Sequence, residues 1–106
     1  MDVRSGYPEA ILEAVTDEGE GADIIMIKPA LTYLDVVRQV SDVVSRPVAV
    51  FNVSGEYSMI KSSAEKGHIN EMDIIMETMC SMKRAGANAI ITYFAFEIAK
   101  NLNSNV

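Results

Sequence analysis

Three side chains follow three short apolar runs, and their types suit one piece of chemistry. Lys28 comes after Ile24-Ile25-Met26-Ile27 and before Pro29. Ser54 lies in Val53-Ser54-Gly55-Glu56-Tyr57, directly after Phe51-Asn52, and Tyr93 follows Ile90-Ile91-Thr92. A lysine in partly apolar surroundings loses the solvation that keeps its amine charged, and the neutral amine can form a Schiff base with a ketone. Two hydroxyls converging on the same mouth are suited to holding a substrate carboxylate. Each also has an ordinary reading, as a snorkelling or ion-paired lysine or a loop hydroxyl. What joins the three is their equivalent position at the ends of consecutive runs.

Those runs read as strands set between helices. A helix is expected from Glu9 to about Glu18, with Ile11, Leu12 and Val15 on one side and Glu9, Glu13 and Asp17 on the other. Gly19 and Gly21 end it, and Ile24-Ile25-Met26-Ile27, apolar without alternation, predicts a strand covered on both faces. Thr32, with Asp35 three residues on, is a weak capping box for a helix burying Leu34, Val37, Val40 and Val44. Arg46-Pro47 stops that helix before a second strand, Val48-Ala49-Val50-Phe51. Ser54-Gly55-Glu56 reads as a loop, with a helix from about Tyr57 to Gly67. Asn70 caps a helix with inner face Met72, Ile75, Met79 and Met82, a stripe suited to core packing. Ala89-Ile90-Ile91-Thr92 is the third strand, Phe94 to about Leu102 the last helix, and the tail from Asn103 is expected to fray.

Glu20-Gly21-Ala22-Asp23-Ile24-Ile25 and Ala85-Gly86-Ala87-Asn88-Ala89-Ile90 form a partial repeat, a helix-ending Gly-Ala leading into a strand. Helix–strand alternation with short connections predicts a parallel α/β sheet. Three strands leave two open edges and little core, whereas eight such units close a barrel of typically about 250 residues. The pattern therefore fits the C-terminal portion of a (β/α)₈ TIM barrel, about three βα units, incomplete as a domain over residues 1–106. Lys28, Ser54 and Tyr93 would then share the barrel end where catalytic groups gather.

Composition narrows the function classes. Nine basic against fifteen acidic residues give a net charge of −6, which argues against binding nucleic acid through its phosphates. One cysteine makes no internal disulfide and favours a reducing, cytoplasmic setting. No apolar run reaches the roughly 18 residues of a membrane span, and Met1-Asp2-Val3-Arg4-Ser5-Gly6 lacks the apolar core of a leader. Cys80 reads as core filler and His68 as a surface histidine.

Gly21-Ala22-Asp23-Ile24-Ile25-Met26-Ile27-Lys28-Pro29-Ala30, Tyr33-Leu34-Asp35, Val53-Ser54-Gly55-Glu56-Tyr57-Ser58-Met59, Lys83-Arg84-Ala85-Gly86-Ala87-Asn88 and Thr92-Tyr93-Phe94-Ala95 resemble, in order, the C-terminal third of the porphobilinogen synthase family, the δ-aminolevulinic acid dehydratases. The resemblance implies a TIM barrel, assembled as an octamer in the full-length family, that condenses two 5-aminolevulinate molecules to porphobilinogen with loss of two waters, in tetrapyrrole (heme) biosynthesis. It implies that Lys28 is the Schiff-base lysine of the substrate position called P, and that Ser54 and Tyr93 hold that substrate's carboxylate. Glu13 matches a glutamate associated with an allosteric magnesium ion in many bacterial members. Zinc or magnesium serves the full-length family, with the catalytic-metal ligands outside this chain. Asn52 departs from the usual Gln, a shorter amide of shorter reach. The family's second lysine, its A-site arginines and its lid have no counterpart here, so the chain alone is expected to be inactive.

Two other classes compete. A phosphoacceptor receiver domain would also carry Gly-Ala … Lys-Pro on a strand, but near its end, not at residue 28, and with an acidic pair that this chain lacks. A non-catalytic assembly fragment would bind a complementary piece through its open sheet edges.

Overall fold

The computed structural model describes residues 7–104. Residues 1–6, read above as lacking a leader's apolar core, and the tail residues 105–106 lie outside the described residues. Helix α1 (Tyr7–Gly19) is followed by β1 (Ile25–Ile27), a 3-10 turn (Leu31–Tyr33) and α2 (Leu34–Val43). Then come β2 (Val48–Asn52), α3 (Ser54–Glu65), α4 (Glu71–Ala85), β3 (Ala89–Thr92) and α5 (Ala95–Ser104). The strands form one parallel sheet in the order β1-β2-β3, with Ile25 beside Val48 and Val50 beside Ile90.

Alternation along the strands divides the sheet into unlike faces. Ile25, Ile27, Val48 and Val50 point into a core completed by Ala10 and Ala14 of α1, Val36, Val37 and Val40 of α2, and Met79 and Met82 of α4. A smaller cluster of Ile60, Ile75 and Phe94 fills the space between α3, α4 and the start of α5. Among the described residues no helix covers the opposite face. Met26 is 48% exposed and Ile91 43%, so the expectation of a first strand covered on both sides is corrected. The slab measures 44 × 33 × 18 Å, and its 15.0 Å radius of gyration exceeds the roughly 13 Å of a compact chain this long.

Local differences from the sequence reading have identifiable causes. Helix α1 buries its small Ala10 and Ala14, which allow close packing on α2, and leaves Leu12 and Val15 exposed. Ile24 is exposed and precedes the strand. Thr32 caps nothing: the 3-10 turn runs straight into α2, whose N-cap is Tyr33 without a side-chain bond. Asn70 does cap α4, accepting from the Asp73 amide at 3.0 Å. Ile75, Met79 and Met82 are buried as expected, and His68 is exposed. Cys80 is exposed rather than core filler, because α4 turns it outward beside Met79. Helix α5 begins after Phe94 and continues through Asn103.

The partial repeat has a geometric basis. After α1, Gly21 donates to Glu18 O and Ala22 to Asp17 O; after α4, Gly86 donates to Lys83 O and Ala87 to Met82 O. Both are Schellman closures, and both glycines hold positive φ, +99° and +125°. At Gly86 a β-carbon would also collide with the Ser41 hydroxyl, so the residue suits both the turn and the approach of α2.

Glu18 ties the end of α1 to the loop before β2. Its Oε2 accepts from the Ser45 amide (2.7 Å), the Ser45 hydroxyl (2.9 Å) and the Arg46 amide (2.9 Å). The Ser45 donors hold its carboxyl below the ordinary 4.5, with Arg46 adding to the effect. A carboxyl with a depressed folded-state pKa contributes stability above its unfolded value, and that contribution disappears as pH falls through the folded value. Urea midpoints of the wild type should therefore fall more steeply than those of Glu18→Gln as pH drops below about 4.5.

Candidate active site

Parallel strands bring their carboxyl ends to one rim, and the three sequence candidates stand there. Lys28 directly follows β1, Tyr93 directly follows β3, and Ser54 is the first residue of α3, two positions beyond β2. The Lys28 Nζ lies 5.9 Å from the centroid of the Phe51 ring, within cation–π range. Phe51 in turn meets Tyr93 edge-on at 6.3 Å, and Tyr57 packs on Tyr93 at 5.6 Å and on Phe94 at 4.6 Å. Lysine, ring and phenol thus run across the bare face from one strand to the third.

Part of the expected setting differs. Lys28 is exposed, because Ile27 points to the helix-covered face and Pro29 is only half-buried. Of the dry pocket that the flanking residues suggested, this chain supplies one wall, Phe51. Ser54 also differs from its reading as a loop residue, since the helix starts there. The Ser54 and Tyr93 side chains are exposed at the rim.

Beneath the rim lies a polar network absent from the sequence reading. Glu56, the third residue of α3, is 3% exposed. Its Oε2 accepts from the amides of Ala30 (3.1 Å) and Leu31 (2.9 Å), and its Oε1 from Asn52 Nδ2 at 2.5 Å. Asn52 Oδ1 accepts from the Thr92 hydroxyl at 2.7 Å, and Thr92 Oγ1 accepts from the Phe94 amide at 3.1 Å. The shorter amide of Asn52 therefore reaches both partners. No buried side-chain polar atom among the described residues lacks a partner. The four-residue spacing of Asn52 and Glu56 across a helix start was the available signal.

Glu13 lies apart from this network. It is exposed on α1 and lines a groove along β1 with Asp17, Tyr33 and Lys28. Among the described residues no three His, Cys, Asp or Glu side chains gather as a metal cage. Glu13 therefore stands outside any three-ligand cluster of the described residues. Cys80 opens onto a groove formed by residues 87–90, which include the start of β3, the end away from Lys28.

A parallel sheet with one helix-covered face, one bare face and a lysine among aromatic and hydroxyl side chains at its carboxyl rim defines a segment of a (β/α)₈ barrel. The family model for delta-aminolevulinic acid dehydratase matches residues 1–101. Delta-aminolevulinic acid dehydratases of Staphylococcus aureus and Halalkalibacterium halodurans are 53% and 52% identical over 95 residues, 90% of this chain and 29% of each relative. The chloroplastic enzyme of Chlamydomonas reinhardtii is 51% identical over 91% of this chain and 25% of its own length. A crystal structure of the Toxoplasma gondii dehydratase, or porphobilinogen synthase, in complex with the reaction product porphobilinogen superposes with a TM-score of 0.91. It is 48% identical and covers 94% of this chain and 28% of its own. The chain belongs to the delta-aminolevulinic acid dehydratase family and spans 25–29% of the length of these relatives. That membership, with Lys28 directly after the first of three strands, sets aside the receiver-domain alternative.

Proposed function

We propose that this chain supplies one of the two substrate positions for the condensation of two 5-aminolevulinate molecules to porphobilinogen, a step of tetrapyrrole biosynthesis. The observation that carries the reading is the placing of Lys28, Ser54 and Tyr93 on one rim, in a family whose solved relative holds porphobilinogen. Lys28 Nζ, once neutral, attacks the ketone carbon of 5-aminolevulinate; the carbonyl oxygen leaves as water and a C=N bond joins substrate to chain. The Ser54 and Tyr93 hydroxyls donate to the carboxylate and fix the substrate's orientation. Phe51 shields one side of the amine.

The remaining strands of the barrel would enclose the bare face, exclude water and bring the second substrate with its own lysine. Residues 1–106 are thus an incomplete barrel segment, inactive alone, working in a homo-oligomer in the cytoplasm. Glu13 would contribute one carboxylate to an allosteric magnesium ion. Catalytic zinc or magnesium would be held by residues beyond this chain and would supply Lewis-acid polarisation of the second substrate. A second reading, an assembly fragment that docks a complementary piece, draws on the exposed Met26, Ile91 and Tyr93. No helix among the described residues is long and apolar enough to cross a membrane.

Borohydride trapping decides between them. Supplied with the remaining strands of a relative's barrel, the chain should take up 5-aminolevulinate as a secondary amine on Lys28, located by peptide mass spectrometry. Label on another lysine, or none, would remove Lys28 from its role and leave the assembly reading.

A further inference from the structure

We propose that Glu56 is the positioning residue for Lys28, an inference that rests on the Schiff-base reading above. A carboxylate this deeply buried is unfavourable unless its oxygens are fully supplied with donors. Glu56 has three partners, all N–H groups and none a cation: the amides of Ala30 and Leu31 and the side chain of Asn52. The two amides lie two and three residues beyond Lys28, so the carboxylate fixes the corner from which the lysine projects. Ser54 stands two residues before Glu56 on the same helix. Asn52 extends the tie to Thr92, the residue before Tyr93. One buried carboxylate is therefore the hub of the segments bearing all three rim candidates.

The donor pattern provides a discriminating test. In Glu56→Gln the new NH₂ faces either Asn52 Nδ2 or the Ala30 and Leu31 amides, donor against donor, or the Asn52 amide turns over and the Thr92 hydroxyl loses the acceptor it now uses. In the double variant Glu56→Gln with Asn52→Asp, the Gln oxygen again accepts from Ala30 and Leu31. Its NH₂ then donates to the new Asp, whose other oxygen accepts from Thr92. Size and total charge match the wild type.

The chain and its variants, each supplied with the remaining strands of a relative's barrel and compared at equal folded fraction by circular dichroism, are treated with 5-aminolevulinate and borohydride, and label at Lys28 is quantified. Glu56→Gln should lower the trapping rate at Lys28 roughly tenfold or more, and the double variant should return it to within about twofold of the wild type. Equal trapping in Glu56→Gln and wild type overturns the proposal, as does a loss that the double variant does not recover. Absence of label on wild-type Lys28 is a failure of the Schiff-base reading instead. Amide hydrogen exchange at Ala30 and Leu31 then decides the role of Glu56: exchange about tenfold faster in Glu56→Gln and slowed again in the double variant supports it, and unchanged exchange overturns it. Should Glu56→Gln not fold, Thr92→Val, which removes only the hydroxyl behind Asn52, should give a smaller change in the same readouts; none overturns the proposal.

Discussion

Replacing Lys28 with Arg should abolish the borohydride-trapped adduct in the assembled barrel, lowering label by at least about a hundredfold. A guanidinium stays protonated at any pH a protein survives and offers no free amine. The substitution keeps the positive charge and can still lie over Phe51, and Lys28 is exposed. Thermal stability should therefore change little, within about 0.5 kcal/mol. Lost label with an unaltered melting curve assigns the loss to the amine itself. Persisting label would place the reacting group elsewhere.

Substituting Leu for Asn52 should have the largest effect on stability. Asn52 is 0% exposed and serves two partners, the Glu56 carboxylate and the Thr92 hydroxyl. Leucine leaves a buried carboxylate oxygen without its side-chain donor and a hydroxyl without its acceptor, at a combined cost of about 3 kcal/mol or more. Small domains have about 5–15 kcal/mol in all. The urea midpoint should drop accordingly, and a midpoint within error of the wild type would show that water enters and replaces Asn52.

The three strands and the shared rim were legible because the signals are local: apolar quartets, glycine-ended helices and a candidate residue within two positions of each strand's end. The split between faces was not. Ile25, Met26 and Ile27 are all apolar, so alternation is hidden until Met26 has no helix to meet. The inner face of α1 was misread because hydrophobic size pointed to Leu12 and Val15, whereas packing against α2 selected Ala10 and Ala14. Ser54-Gly55-Glu56 looked like a loop because Glu56 does not cap its own helix; it accepts from Ala30 and Leu31, more than twenty positions away in sequence. The Thr92–Asn52 bond spans forty residues. Such pairings depend on strand register, which short motifs do not specify.

Each strand of this sheet is written in two interleaved registers, alternate positions serving the packed face and the bare one. Ile25 and Ile27 hold the fold together, while Met26 and Lys28 belong to the other surface. Selection can therefore redraft the reactive side one residue at a time without loosening the scaffold behind it, and a destabilising change on the packed side need not alter which molecules the rim can grasp.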